Sequence, residues 1–312
     1  MLKVSVIVPT YNHEKYIKKC IESIVMQKCD FAFEVLIGDD ASKDKTGMIV
    51  AEYASKYPEI IKPILRKRNL GGFKNMYDLF QKARGEYIAF IDGDDYWISK
   101  DKLQKQVDFL DKNKDYEAVF AKSMVVDKEG GQIIGAENYM PFFKGGDYKL
   151  SNINENVLPG QTSTALYRKS ALKKFEQRLR EDRRIRPRGQ VLDVFLILGV
   201  YSQGKIYTIC EEMAAYRFVM EKDSGSWNSK YSGYGLINMV IFLAELHELE
   251  RVGKVLGVDL NYNERRKYEY RKANDYKGRF PGITIYLIKF FIVLWYKNKK
   301  ELIIPLRRRM NI

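Results

Sequence analysis

Strand-like runs that end in carboxylates limit this chain to few folds. Val4-Ser5-Val6-Ile7-Val8 is apolar and β-branched, the pattern of a strand buried on both faces. Pro9 is expected to stop it, opening into Thr10-Tyr11-Asn12-His13. A second run, Phe33–Ile37, ends in Gly38-Asp39-Asp40-Ala41-Ser42-Lys43-Asp44. A third, Tyr87–Ile91, runs into Asp92-Gly93-Asp94-Asp95. Between the first two, Ile17, Cys20, Ile21, Ile24 and Val25 recur at helical spacing. Strands alternating with helices imply an α/β fold, a parallel sheet flanked by helices.

The pattern continues with helices over Thr46–Tyr57, Gly72–Ala83 and Leu103–Leu110, and strands over Ile60–Leu65 and Ala118–Val126. From 128 to 217 it is less regular. Residues 135–160 read as a long loop, Val191–Tyr201 as a helix and Lys205–Ile209 as a strand. From Tyr234 onward the signals are helical, in three segments. The Gly/Ser-rich stretch near 225–232 marks the expected boundary. A domain over 1–227, with halves 1–127 and 128–227, would then be followed by a helical, basic appendage over 228–312.

Charge and cysteine usage exclude several classes. The net charge is +14, yet residues 1–167 hold 24 basic and 24 acidic residues. The excess lies in 168–188, at +7, and in 261–312, at +10. No nucleic-acid-binding pattern accompanies it, so no nucleic acid partner is expected. The segment Ile283–Tyr296 is apolar and aromatic, and Lys297, Lys299, Lys300 and Arg307–Arg309 follow it. It is shorter than the roughly 18 residues that span a bilayer. It suits a helix lying on an anionic membrane surface, or one packed on the core beside a solvated tail. The three C-terminal helices suit a homodimer interface as well. Cys20, Cys29 and Cys210 form neither a disulfide framework nor a zinc pattern, and no secretory signal is read at Met1. A cytoplasmic protein, peripheral on the inner face of the plasma membrane, is the expectation. Cys20 reads as a small core residue.

In open α/β sheets, ligands bind outside the carboxyl ends of the strands. No glycine-rich phosphate loop follows a strand here, which argues against a P-loop NTPase or an NAD enzyme. The sheet offers carboxylates instead. Carboxylates repel a diphosphate unless a divalent cation lies between them. Asp-x-Asp at a strand end can hold Mg²⁺ or Mn²⁺ through hard oxygen ligands while leaving positions for phosphate oxygens.

With these blocks in view, the sequence resembles glycosyltransferase family 2, the inverting enzymes with the GT-A fold. The likeness runs through Val4–Asn12, Glu34–Thr46, Asn69-Leu70-Gly71-Gly72 and Ala83–Trp97, and extends to about residue 227. It implies a Rossmann-like, mostly parallel sheet and a nucleotide-sugar donor. Pro9, Thr10 and Tyr11 should line the nucleotide pocket, and Asp39 should bind the base, typically uracil. Asp40, Asn69 and Gly93 are carried over as donor-binding positions, with Asp40 open to a loop-shaping role. Asp92 should lie near the ribose and metal, and Asp94 should coordinate the Mn²⁺ or Mg²⁺ that bridges the diphosphate. For Asp95, capping of the following turn stands as the alternative. The family's acidic general base matches Asp193, in Val191-Leu192-Asp193-Val194. Ala215-Tyr216-Arg217 with Ser224–Trp227 resembles a flexible segment whose arginine, Arg217, would reach the diphosphate. The histidine that usually follows Tyr-Arg is absent, and so is Gln-x-x-Arg-Trp, which disfavours a processive synthase. His13 reads as a loop contact.

The activity implied is transfer of a sugar from a nucleoside diphosphate sugar, with inversion, to a hydroxyl of a saccharide or lipid-linked acceptor in polysaccharide biosynthesis. Two alternatives stay open. A sugar-nucleotide nucleotidyltransferase shares the sheet and the acidic ligands, but it needs a glycine-rich basic loop that Pro9–Asn12 does not supply. A catalytically silent membrane adaptor on the same fold would not need Asp39, Asp92, Asp94 and Asp193 all in place.

Overall fold

A computed structural model describes residues 2–136, 142–185, 192–219 and 236–275. One nine-stranded sheet organises them. Strand β1 (Leu2–Thr10) runs parallel to β2 (Ala32–Asp39) on one side and to β4 (Tyr87–Phe90) on the other, and β2 pairs in parallel with β3 (Ile61–Leu65). Beyond β4 the order continues through β8 (Leu166–Arg168), β6 (Tyr116–Val126), β9 (Lys205–Arg217) and β5 (Tyr96–Trp97), with β7 (Gly146–Tyr148) also on β9. β8 is antiparallel to both β4 and β6, while β6 and β9 are parallel. The connections reverse direction at β1, between β2 and β4, and a crevice opens there at the strand ends.

Side-chain alternation builds a core on each face of the sheet. Val4, Val6 and Val8 pack with Ile17, Cys20, Ile21 and Ile24 of α1 (Ile17–Val25). Ile7 points the other way, into a cluster with Leu36 and with Leu79 and Phe80 of α3 (Gly72–Lys82). β4 alternates likewise, Ile88 and Phe90 toward one cluster, Tyr87 and Ala89 toward the other. Helices α2 (Thr46–Lys56) and α4 (Lys102–Lys112) complete the layer that holds α1. Each fully buried aliphatic side chain contributes about 1.5–3 kcal/mol.

Three expectations are corrected. Pro9 does not end β1, because pairing with β2 runs through Pro9↔Gly38 to Thr10↔Asp39. A residue's N–H and C=O share one side of a strand. Pro9 turns that side toward β4, where the ladder has already ended at Ile7↔Phe90, so no donor is missed. The long loop over 135–160 contains β7 and a short helix, α5 (Leu150–Asn154). β9 extends from Lys205 to Arg217, well past Ile209, because a bulge opposite Ala121–Lys122 takes up the exposed Cys210 and Glu211 and pairing resumes at Lys122↔Glu212.

Within the basic stretch 168–188, Lys169–Glu181 form α6, and much of the charge there has structural partners. Arg168 donates to the carbonyls of Tyr116, Leu110 and Asn113, and Lys169 to that of Ala83. Lys173 and Arg180 pair with Glu176, and Arg184 with Asp182. Next comes α7 (Leu192–Tyr201), then α8 (Leu236–Leu256) and α9 (Asn263–Asp275). Leu243, Leu246, Leu249 and Val252 of α8 enter the same cluster as Phe195 and Leu198 of α7. The boundary expected at 227, the Ser224–Trp227 segment and the apolar stretch 283–296 lie outside the described residues. Among the described residues, no helix is long and apolar enough to cross a membrane.

Candidate active site

Two loops are locked together at the ends of β1 and β2. The Asp40 N–H donates to the Thr10 carbonyl, and the Asn12 N–H to Ser42 Oγ. Asn12 Oδ1 in turn accepts from the Lys43 N–H. Asn12 and Ala41 both take left-handed backbone conformations, φ 57° and 60°. Ala41 has no polar side chain to offset that strain, which is held by the interlocked loops. The Asp39 carboxylate is 5% exposed, accepts from Ser42 Oγ, and lies against Gly47, where a Cβ would come within 2.9 Å of Oδ2. This fixes Asp39 at the mouth of the crevice.

Asp40 has a different task. Its two oxygens accept from the Leu70 and Gly71 N–H groups, both at 2.8 Å, and it is 2% exposed. It therefore shapes the loop after β3, and its expected role as a donor contact is withdrawn. Asn69, on the same loop, is exposed, and its Oδ1 accepts from the Gly71 N–H.

The turn after β4 presents three carboxylates. The Gly93 N–H donates to the Pro9 carbonyl and the Asp95 N–H to that of Asp92, which also receives Cys20 Sγ at 3.6 Å. Gly93 packs so closely that a Cβ there would lie 2.5 Å from Thr10 Oγ1 and 2.9 Å from His13 Nδ1. His13 Nδ1 meets Thr10 Oγ1 at 3.2 Å, the loop contact expected of it. Asp94 is half-buried, while Asp92 keeps an opening to solvent and is crowded by protein elsewhere. That crowding, and then the charges of Asp94 and Asp193, push the Asp92 carboxyl up to about 7. Asp95 is 3% exposed, and burial, then Asp94 and Asp92, push its carboxyl well up.

Asp95 does not cap the following turn. Its Oδ1 accepts from the Arg217 N–H at 2.8 Å, tying the acidic turn to β9. The expectation for Arg217 is also corrected. It is 4% exposed, and its guanidinium donates to the carbonyls of Asp94, Asp127 and Lys128. The rings of Tyr16 and Tyr96 lie 4.3 and 5.9 Å from it. These bonds turn it inward, onto the backbone of the acidic turn and the end of β6.

Asp193 reaches the same crevice from the first turn of α7. Thr162 Oγ1 donates to its Oδ1 at 3.4 Å. Thr162 belongs to a short 3₁₀ turn, Thr162–Thr164, anchored by Trp97 Nε1 on the Ser163 carbonyl and Gln106 Nε2 on that of Thr164. The Asp193 side chain is open to solvent on the crevice side, and the protein packed around its other sides pushes the carboxyl up against the Thr162 bond. Sequence reasoning missed Thr162, and nothing in Gln161-Thr162-Ser163-Thr164 marks it.

The donor set fits a divalent cation. Asp92 and Asp94 offer hard oxygen ligands, and their mutual repulsion is relieved by a cation as well as by a proton. Among the described residues, no group of three or more His, Cys, Asp or Glu side chains is gathered to close a coordination sphere. Mg²⁺ is typically held by one or two carboxylates, with phosphate oxygens and water in the other positions.

The pattern of the family described as Glycosyl transferase family 2 matches residues 5–175. An uncharacterized protein of Mycobacterium tuberculosis is 33% identical over 229 residues, 73% of this chain and 61% of that protein. The poly(ribitol-phosphate) β-N-acetylglucosaminyltransferase TarS of Staphylococcus aureus is 33% identical over 177 residues, 55% of this chain and 29% of its own length. The chain thus spans less than two thirds of these relatives. The crystal structure of TarS 1–349 with UDP-GlcNAc superposes with a TM-score of 0.57 and 25% identity, covering 89% of this chain and 73% of that one. The mannosyltransferase PcManGT of Pyrobaculum calidifontis, with GDP-Man and Mn²⁺, shares the fold at a TM-score of 0.58 and 15% identity, over 95% and 79% of the two chains.

Proposed function

The chain belongs to glycosyl transferase family 2, and on that premise we propose that it moves a sugar from a UDP-sugar to a hydroxyl of a saccharide or lipid-linked acceptor, with inversion, in polysaccharide assembly. One observation carries the reading. Asp92 and Asp193 share a crevice closely enough for the charge of one to lift the other. That gives a binding end and a basic end to one cleft. The UDP-GlcNAc bound by the related TarS supports the choice of nucleotide.

The residues divide the work. Pro9, Thr10 and Tyr11 line the nucleotide pocket, and Asp39, held by Ser42, receives an N–H of the base. Asn69 and Gly93 complete the donor side. Asp92 and Asp94 would hold the divalent cation, which when bound offsets negative charge developing on the leaving diphosphate. Asp193 accepts the proton of the acceptor hydroxyl as that oxygen attacks the anomeric carbon. Its raised carboxyl is a stronger base than an ordinary one, and the Thr162 hydroxyl orients it. The nucleoside diphosphate departs from the opposite face, so an α-linked donor gives a β-linked product.

The basic C-terminal region, which beyond Asp275 lies outside the described residues, is proposed to seat the enzyme on an anionic membrane surface at the inner face of the plasma membrane. The 1–227 and 228–312 division is proposed with it. The reaction is tested by the anomeric configuration of the product, read by NMR. A β-linked product from an α-linked UDP-sugar supports the reading, and a retained configuration contradicts it.

A further inference from the structure

Arg217 joins more parts of the acidic turn than any hydrogen bond within that turn does. Its backbone N–H meets Asp95 Oδ1, and its Nε meets the Asp94 carbonyl at 2.9 Å. Asp94, by its carbonyl, and Asp95, by its side chain, are therefore both held by one residue. Its Nη1 reaches the carbonyls of Asp127 and Lys128, at 2.6 and 2.8 Å, just past the end of β6. Tyr16, immediately before α1, covers the guanidinium plane. Arg217, at the end of β9, thus ties the acidic turn after β4 to the backbone just past β6, beside three carboxylates.

We propose that Arg217 is a positioning residue that fixes the orientation of Asp94 toward the cation, and that it does not itself contact the diphosphate. This rests on the site reading above. The geometry gives the reason. A guanidinium offers a planar fork that can serve three carbonyls at once. An ammonium is a compact point charge and cannot span the same three acceptors. Loss of the fork removes the donor that these three carbonyls share and frees the Asp94 carbonyl to shift. The backbone bond from residue 217 to Asp95 survives any side-chain substitution, so the strand end stays pinned.

The test compares wild type, Arg217→Lys, Arg217→Ala and Asp94→Ala in the full chain. Mn²⁺ binding in the presence of UDP is read by electron paramagnetic resonance, with UDP affinity in EDTA measured separately by calorimetry. For Arg217→Lys, Mn²⁺ affinity should fall about 10–100-fold, the range for residues that orient metal ligands. UDP affinity in EDTA should not change. At saturating Mn²⁺, the donor KM should stay near wild type while kcat falls. Tyr16→Leu, which removes the covering ring and keeps the charge, should weaken Mn²⁺ binding in the same sense, and it carries the test if Arg217→Ala does not fold. Weakened UDP binding in EDTA in Arg217→Lys would overturn the proposal and make Arg217 a diphosphate ligand. Unchanged Mn²⁺ binding in Arg217→Lys, with loss in Asp94→Ala, overturns this inference alone. Unchanged binding in Asp94→Ala overturns the site reading, and this inference with it.

Discussion

Asp193, on the first turn of α7, lies near enough to Asp92, at the end of β4, for its charge to raise the Asp92 carboxyl. The sheet and a 3₁₀ turn bring these two acids together from distant parts of the chain. Their roles differ because their neighbours differ. Asp92 sits beside Asp94, whereas Asp193 receives a hydroxyl from Thr162.

If Asp193 is the base, Asp193→Asn should lower kcat by about 10²–10⁴-fold, the usual worth of a positioned proton acceptor. UDP binding should not change. Stopped-assay turnover and calorimetry on the same preparation check both halves. A matched loss of UDP affinity would assign Asp193 to the donor side.

The Asp92 carboxyl, lifted to about 7, sets a pH dependence. Its folded value lies above that of the unfolded chain, so the folded protein binds more protons between about pH 4 and 7. Metal-free stability should therefore fall as pH rises through that window. Mn²⁺ with UDP should restore the loss at pH 7, and Asp92→Asn should flatten the slope. Thermal melts at stepped pH, with and without Mn²⁺ and UDP, decide it. A metal-free melting temperature that rises across the window contradicts the assignment.

Lys102 predicts a slope of the opposite sign. It is fully buried, with Gln106 Oε1 at 2.7 Å and the Trp97 ring at 4.4 Å, and burial pulls its amine down to about 7. The unfolded chain binds the extra proton between about pH 7 and 10, so stability should rise with pH there. In Lys102→Met that rise should vanish, as denaturant titrations at pH 7 and 9.5 would report.

Gly93→Ala should cost about 1–3 kcal/mol, the range for overpacking a tight interior contact. The new Cβ would meet Thr10 Oγ1 at 2.5 Å. Nucleotide binding should weaken as well, since the acidic turn and the Thr10 loop must separate. A variant as stable as wild type, with normal UDP affinity, would show that this contact can relax.

Much of this was legible because it is local. The runs through Val6, Val35 and Ile88 carry their own burial pattern, and Asp39, Asp92 and Asp94 follow the strands directly. The proposed role of Asp193 rests on the family resemblance, since an acid within an apolar helix has no local signature of catalysis. The resemblance points Arg217 outward, toward a diphosphate, and the fold turns it inward. Its acceptors are backbone carbonyls at Asp94, Asp127 and Lys128, and no side-chain pattern encodes those. β5 and β8, with two and three residues, are too short to show a period. Pro9 misled because a proline's effect on a strand depends on which side its missing donor faces.

The most direct measurement is release of nucleoside diphosphate from UDP-, GDP- and dTDP-sugars, with Mn²⁺, Mg²⁺ or EDTA, for wild type, Asp94→Ala and Asp193→Asn. The account predicts metal-dependent release of UDP from a UDP-sugar by wild type, silenced by EDTA and lost in both variants. Release that persists in EDTA and in Asp94→Ala would contradict it.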